Sequence, residues 1–408
     1  MPDIKKPRGI RRDRHCHRCR AQNIKCDLNR PRCQSCQQSD QPCQYPRRVI
    51  WMGEKKTTLQ EGSTSPTPSP QGSIEPSPEA CVSHKGTSIN VYGFVDLLSD
   101  FYQEIQSSQR DLPDEAIQLI PRILSFARSR LRGENNGAIQ SHVVALTNLS
   151  KVIESLHPVA LFGIATFAMF EVCCGSFGAW HCHLHGARSL LDLHCRDKAD
   201  LDSLVSQIPG LADVFAYLVW FDVTGALVQE RDLIFDYWHR GILSPAFFDS
   251  VGCPADTFEL YAQLVTRGLK SVLELSSLAM DQVLRLGAGD STDRGLATVV
   301  YRCAGAMVAF SRAGDGNDED RISTIHSNTI TSMVDRVCGA ISAIPTTSRF
   351  YVHMATPIYL TGMHATTSRQ CDILRQYWRN CRQCEFPRYP DAQEQSECRW
   401  RKRLICGG

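Results

Sequence analysis

The sequence predicts a small metal-stapled module, a disordered linker and a large irregular all-α domain, in that order. Three observations carry this reading. Six of the 19 cysteines fall between Cys16 and Cys43, in a segment almost without apolar side chains. A stretch rich in Gly, Ser, Thr and Pro follows. From Val91 onward, apolar residues recur at helical spacing while alternating β patterns are rare. The 408 residues are also too many for one ordinary core.

Charge separates the same parts. Residues 1–50 hold thirteen Lys and Arg against four Asp, a net +9, and the remainder is −7, so the overall +2 hides a basic head on an acidic body. Such a head is an electrostatic footprint for nucleic acid. No uncharged apolar run reaches the roughly 18 residues that span a bilayer. The longest, Val159 to Phe170, has the length of a buried helix, so no membrane contact is expected. The basic N-terminus is not followed by an apolar core, so no secretory signal is expected either. The cysteines are then expected in a reducing compartment, where metal binding outranks disulfides.

Residues 1–15 form a basic arm with Lys5, Lys6, Arg8, Arg11, Arg12 and Arg14. It reads as a nuclear-import signal, a sequence-independent phosphate clamp, both together, or a solvated tail. Residues 16–46 follow, with the spacing Cys16-x2-Cys19-x6-Cys26-x6-Cys33-x2-Cys36-x6-Cys43. Ile10, Ile24, Leu28 and Tyr45 cannot make a core, so the segment needs another staple. Two copies of C-x2-C-x6-C stand in tandem. Structural zinc takes four ligands, so three thiolates cannot close one site. Six cysteines fill two sites if two sulfurs bridge both ions. The symmetry of the halves makes Cys16 and Cys33 the bridging pair, with Cys19, Cys26, Cys36 and Cys43 terminal. Two structural Zn²⁺ and six thiolates carry −2, which leaves the head near +7.

The segment from His15 to Pro46 resembles the fungal Zn2Cys6 binuclear-cluster transcription factors over its whole length. A RING-type zinc module has longer spacers and histidine ligands, and His15 and His17 are surplus to the ligand count here. The resemblance implies a DNA-binding module whose helix after the first cysteine pair turns its C-terminal end to the major groove. The matching stretch is Arg20 to Cys26. Arg20 and Lys25 fit the family pattern, whereas Gln22 and Asn23 replace the basic pair that reads guanines of a CGG half-site. Arg18, Arg20, Gln22, Asn23 and Lys25 are the expected DNA-contacting residues. Lys suits guanine O6 and N7, and Asn or Gln suits adenine N6 and N7, so the half-site is expected to depart from CGG.

Residues 47–90 read as a Pro/Ser/Thr-rich linker, with five prolines between Gly62 and Glu79. Its Ser-Pro and Thr-Pro pairs (Ser65, Thr67, Ser69 and Ser77) are candidate phosphorylation sites or ordinary linker composition. It has no run of apolar heptads, so any homodimer is expected to form through the helical domain.

Residues 91–380 read as that domain. Phe94, Leu97, Leu98, Phe101, Tyr102 and Ile105 make one helix stripe. Further stripes run over Ile117–Leu131, His142–Leu156, Leu184–Leu193, Leu211–Leu227, Phe258–Leu286, Leu296–Phe310, Ile325–Ile341 and Ile373–Trp378, with breakers such as Pro209-Gly210 between them. His181 and His185 share a helix face but lack the carboxylate of a metalloprotease motif; a helix start packed by Trp180 explains them better. The stretch Trp180 to Leu191, W-x-x-H-x-x-G-A-x-x-L-L, is similar to the fungal-specific transcription factor regulatory domain, as are Tyr217–Leu227 and Pro357–Trp378. Residues 381–408 read as a C-terminal tail. One CxxC pair, Cys381 and Cys384, with isolated Cys398 and Cys406, is too little for a zinc ribbon.

These features imply a nuclear, zinc-dependent, sequence-specific regulator of RNA polymerase II transcription, serving one pathway or gene cluster. Double-stranded DNA and, through the helical domain, transcription machinery or co-regulators are the expected partners. No phosphate-binding Gly-rich loop or nucleophile elbow is present, and no enzymatic activity is expected. The alternative is a helical ligand-binding or enzymatic body tethered to DNA by the zinc module.

Overall fold

In the computed structural model the chain forms two compact units, Met1–Val82 and Ser83–Gly408. The structure describes residues 18, 19, 22, 24, 26, 27, 33–39 and 43 of the first unit. Of the second it describes 91–107, 112–132, 135–178, 180–266, 272–286, 290–313, 320–383, 389 and 391–406. The basic arm and the linker lie outside these residues.

In the first unit, a helical turn at Arg18 and Cys19 closes with the Gln22 N–H on Arg18 O (2.9 Å) and the Ile24 N–H on Cys19 O (3.0 Å). A second short helix, α1 (Gln34–Gln38), starts directly after Cys33. Its apolar interior consists of Cys19, Cys26, Cys33 and Cys36, all fully buried, with Cys43 against them. Among the described residues the core of this unit is sulfur alone, as a metal-stapled module requires.

The second unit is helical throughout, with no strand among the described residues. It opens with α2 (Val91–Ser107), α3 (Asp114–Leu131), α4 (Asn135–Glu154) and α5 (Ala160–Cys174). Helix α3 is oriented by its charges, with Asp114 and Glu115 in the first turn and Arg128 and Arg130 in the last, matching the helix dipole. Its buried face, Leu119, Ile120, Ile123, Leu124 and Phe126, meets α4 and α5. Phe101 stacks on Phe162 at 4.1 Å and fixes α2 to α5.

Next come α6 (His181–His194), α7 (Lys198–Gln207) and α8 (Leu211–Gln229). Helix α8 is the axis of the unit. Every residue from Val214 to Leu227 is buried, and it packs against α5, α6, α7, α10 (Ala255–Val265) and α14 (Ala355–Gly362). By length and composition it could cross a membrane, yet 83% of its apolar window is buried inside the fold. Its apolarity is that of a helix with neighbours on every side. Gly210, at φ 73°, provides the left-handed turn that admits the chain to it.

The remaining helices are α9 (Pro245–Val251), α11 (Val272–Leu284), α12 (Asp293–Ala313), α13 (Asp320–Ala343), α15 (Ser368–Gln383) and α16 (Ala392–Cys406). Helix α12 packs against α10, α11, α13 and α14. The stripe Phe258–Leu286 is not one helix: α10 ends at Val265 and α11 begins at Val272, with Gly268 in the gap. The residues read as a tail also belong to the body. Helix α15 runs through position 381, and α16 buries Ala392, Ser396 and Trp400, whose indole N–H donates to Gly362 O at 2.7 Å.

Candidate zinc cluster and nucleic-acid interface

The thiols of the first unit fall into two groups. Cys19, Cys26 and Cys33 have their sulfurs within 4.8 Å of one another, and so do Cys33, Cys36 and Cys43. Cys33 is common to both. Its Sγ lies 3.6 Å from Cys19 Sγ, and its backbone N–H donates to Cys43 Sγ at 3.4 Å. None of these cysteines is in a disulfide.

The donor set fits zinc. With Zn–S bonds near 2.3 Å, neighbouring sulfurs of a tetrahedral site stand about 3.8 Å apart, close to the 3.6 Å between the Cys19 and Cys33 sulfurs. Buried thiols gathered without oxidation are otherwise unfavourable company, and a dication is what removes their protons and holds them together. Among the described residues these are the two groups of three or more potential ligands able to hold one ion. Cys16 lies outside the described residues, as do Arg20, Asn23 and Lys25.

Two contacts across the module were not anticipated from the sequence. The Asp27 carboxylate accepts the Gln34 N–H at 3.1 and 3.2 Å, capping α1 from the residue after Cys26. An acidic cap at a helix N-terminus satisfies a free donor and complements the dipole. In the other direction, the Arg18 guanidinium donates to Ser39 Oγ, which itself donates to Ser35 O at 2.7 Å. The first half thus holds both the start and the end of α1, with side chains beside its own Cys26 and Cys19. Nothing in the spacing pattern marks Asp27 or Ser39; only the tandem repeat hints that the halves touch. Arg18 is tied into the module, with guanidinium N–H groups to spare, and Gln22 is exposed.

In the body, Trp180 precedes the first turn of α6, as its place in the motif suggests. It is buried, its indole N–H donates to Phe221 O at 2.8 Å, and its ring lies against Gly225 so closely that a Cβ there would approach Nε1 to 2.8 Å. His181 and His185 are exposed with perpendicular rings 6.3 Å apart, and no further ligand joins them among the described residues. Asp222, the buried one of the two acidic residues in α8, lies beside Trp180's contact. Its carboxylate accepts from Arg231 Nη1 at 2.9 Å and from the Ile234 and Phe235 N–H groups, each at 2.8 Å. Burial pushes the Asp222 carboxyl upward, and the Phe235 N–H and Arg231 pull it back. The motif residues therefore act as a structural clamp joining α6, α8 and the loop after it.

The geometry of the first unit defines a cysteine-clustered zinc module. Residues 14–51 match the family model of the fungal Zn(2)-Cys(6) binuclear cluster domain. The N-terminal unit is such a domain, a DNA-binding module of transcription regulators that holds two zinc ions through six cysteines. The match does not extend into the helical body. No curated protein and no solved structure matches the chain.

Proposed function

We propose that the chain is a nuclear, sequence-specific regulator of RNA polymerase II transcription, serving one pathway or gene cluster. The observation that carries this reading is the membership of Cys33 in both thiol groups. It supports an assignment in which Cys33 and, by the symmetry of the repeat, Cys16 bridge two Zn²⁺, with Cys19, Cys26, Cys36 and Cys43 as terminal ligands. Zinc supplies the folding energy of a module that has no other core.

The DNA-facing residues in this reading are Arg18, Arg20, Gln22, Asn23 and Lys25. Arg and Lys neutralise phosphates or reach guanine, and the amides read adenine. The basic arm adds a salt-sensitive, sequence-independent share of the affinity. The helical body, similar at Trp180–Leu191 to the fungal-specific regulatory domain, recruits co-regulators and carries any homodimer contact, and it has no assigned catalytic role.

Selection of the full chain on a random duplex pool tests this. An enriched motif that disappears with zinc chelation is expected. Recovery of unenriched DNA with zinc bound would contradict the reading.

A further inference from the structure

Helices α2 and α3 pack together and flank a cleft of about 280 Å³. Pro121 and Leu124 give it an apolar floor. Its polar walls come from α2, through Ser99 and Tyr102, and from α3 and the residue that ends it, through Ser125, Arg128 and Arg132. No carboxylate is in the lining. Asp96, Asp100 and Glu104 of α2 lie outside it, as do Asp114 and Glu115 in the first turn of α3.

Several of these donors are unused. The Arg128 guanidinium donates to Ser99 Oγ at 3.1 Å and has no carboxylate partner among the described residues. A guanidinium carries five N–H donors in a fixed fork, which matches the paired oxygens of a carboxylate or phosphate. The hydroxyls of the half-buried Tyr102 and of Ser125 have no hydrogen-bond partner among the described residues. The helix dipole accounts for cations at the end of α3. It does not account for their convergence with hydroxyls around an apolar floor, on a body whose net charge is negative. A few convergent polar groups over an apolar surface are the ordinary make-up of a small-molecule site.

We propose that this cleft binds a small organic anion, a carboxylic acid or a phosphate ester. Its charged group sits between Arg128 and Arg132, the hydroxyls of Tyr102 and Ser125 donate to it, and its carbon body lies on Pro121 and Leu124. The volume equals about nine waters at roughly 30 Å³ each, which suits a metabolite-sized molecule and excludes a large cofactor. This goes beyond the recruiting role proposed for the helical body, and it stands whether or not the N-terminal unit reads DNA.

The test is isothermal titration calorimetry on the full zinc-loaded chain, at fixed ionic strength, with glutarate as the carboxylate probe and glycerol phosphate as the phosphate probe. Saturable binding of one molecule per chain is expected for at least one probe, and a response to one alone identifies the acid. Arg128→Gln and Arg132→Gln are each expected to weaken that binding at least tenfold, with helicity and melting midpoint unchanged. Arg128→Lys, which keeps the charge but loses the fork, should fall between wild type and Arg128→Gln. Arg122→Gln removes the same charge from α3 outside the lining and should leave binding as it is. No saturable binding of either probe overturns the proposal. Equal weakening in Arg122→Gln and Arg128→Gln also overturns it, because attraction to the general charge of α3 would then explain the binding.

Discussion

The sulfur of Cys33 stands 3.6 Å from that of Cys19, in the other half of the module, while its own N–H reaches the sulfur of Cys43. One residue is therefore a member of both halves of the cluster. A repeat of three cysteines leaves each zinc one ligand short, and a sulfur shared between the two ions would meet the shortage.

On the reading proposed above, base preference should follow the amides Gln22 and Asn23. A carboxamide such as that of Asn23 can pair bidentately with adenine but has no cation for guanine, and one such pair is worth about 1–3 kcal/mol of discrimination. Asn23→Lys is expected to move the selected base from adenine toward guanine and to steepen the salt dependence of binding. The same motif from wild type and variant in a randomised-site selection would make Asn23 a bystander.

Asp222 should be the most sensitive charged position in the body. Asp222→Ala leaves the Ile234 and Phe235 N–H groups and the Arg231 guanidinium without their buried acceptor. Removing one partner of such a pair costs about 3–5 kcal/mol. Chemical denaturation should show a loss of that size, and a change below 1 kcal/mol, roughly that of an exposed ion pair, would contradict the clamp.

Gly225 should tolerate no side chain. A Cβ would meet the Trp180 indole at 2.8 Å from Nε1 and 2.9 Å from Cε2, and the ring is fully buried. Gly225→Ala is expected to lower stability by about 1–3 kcal/mol despite the better helix propensity of Ala. An unchanged or raised melting midpoint would show that the ring can retreat.

Acid should weaken the body through His239. The ring is buried against Trp238, Phe215 and Phe235, and neither nitrogen has a hydrogen-bond partner among the described residues. Burial, with the Arg188 charge, pushes its pKa down to about 4. The unfolded chain takes up this proton below about 6.5, and the fold refuses it until about 4. Stability attributable to His239 is therefore full above about 6.5 and falls as pH drops toward 4. His239→Phe should flatten that part of the profile in thermal melts across pH 4–7. An identical slope in both proteins would place the acid sensitivity elsewhere.

The module and most helices were legible because each rests on a local signal. The cysteine spacing dictates the metal count, and stripes such as Ile117–Leu131 match buried faces of single helices. Other features depend on distant partners. From Gln393 to Arg403 helix α16 is polar except at Cys398 and Trp400, so its sequence gives no reason to expect a Gly362 carbonyl waiting for the indole. The break between α10 and α11 falls inside one continuous apolar stripe, where periodicity alone extends the helix through Gly268. Asp27 and Ser39 look like ordinary polar residues until the halves of the module are folded together.

Metal content tests the central claim most directly. Zinc should be quantified in the full chain after exhaustive dialysis, for wild type and for Cys33→Ser. Two zinc ions per wild-type chain and none in the variant are expected, since loss of a shared sulfur opens both sites. One zinc per wild-type chain, or one retained by Cys33→Ser, would contradict the shared-thiolate cluster.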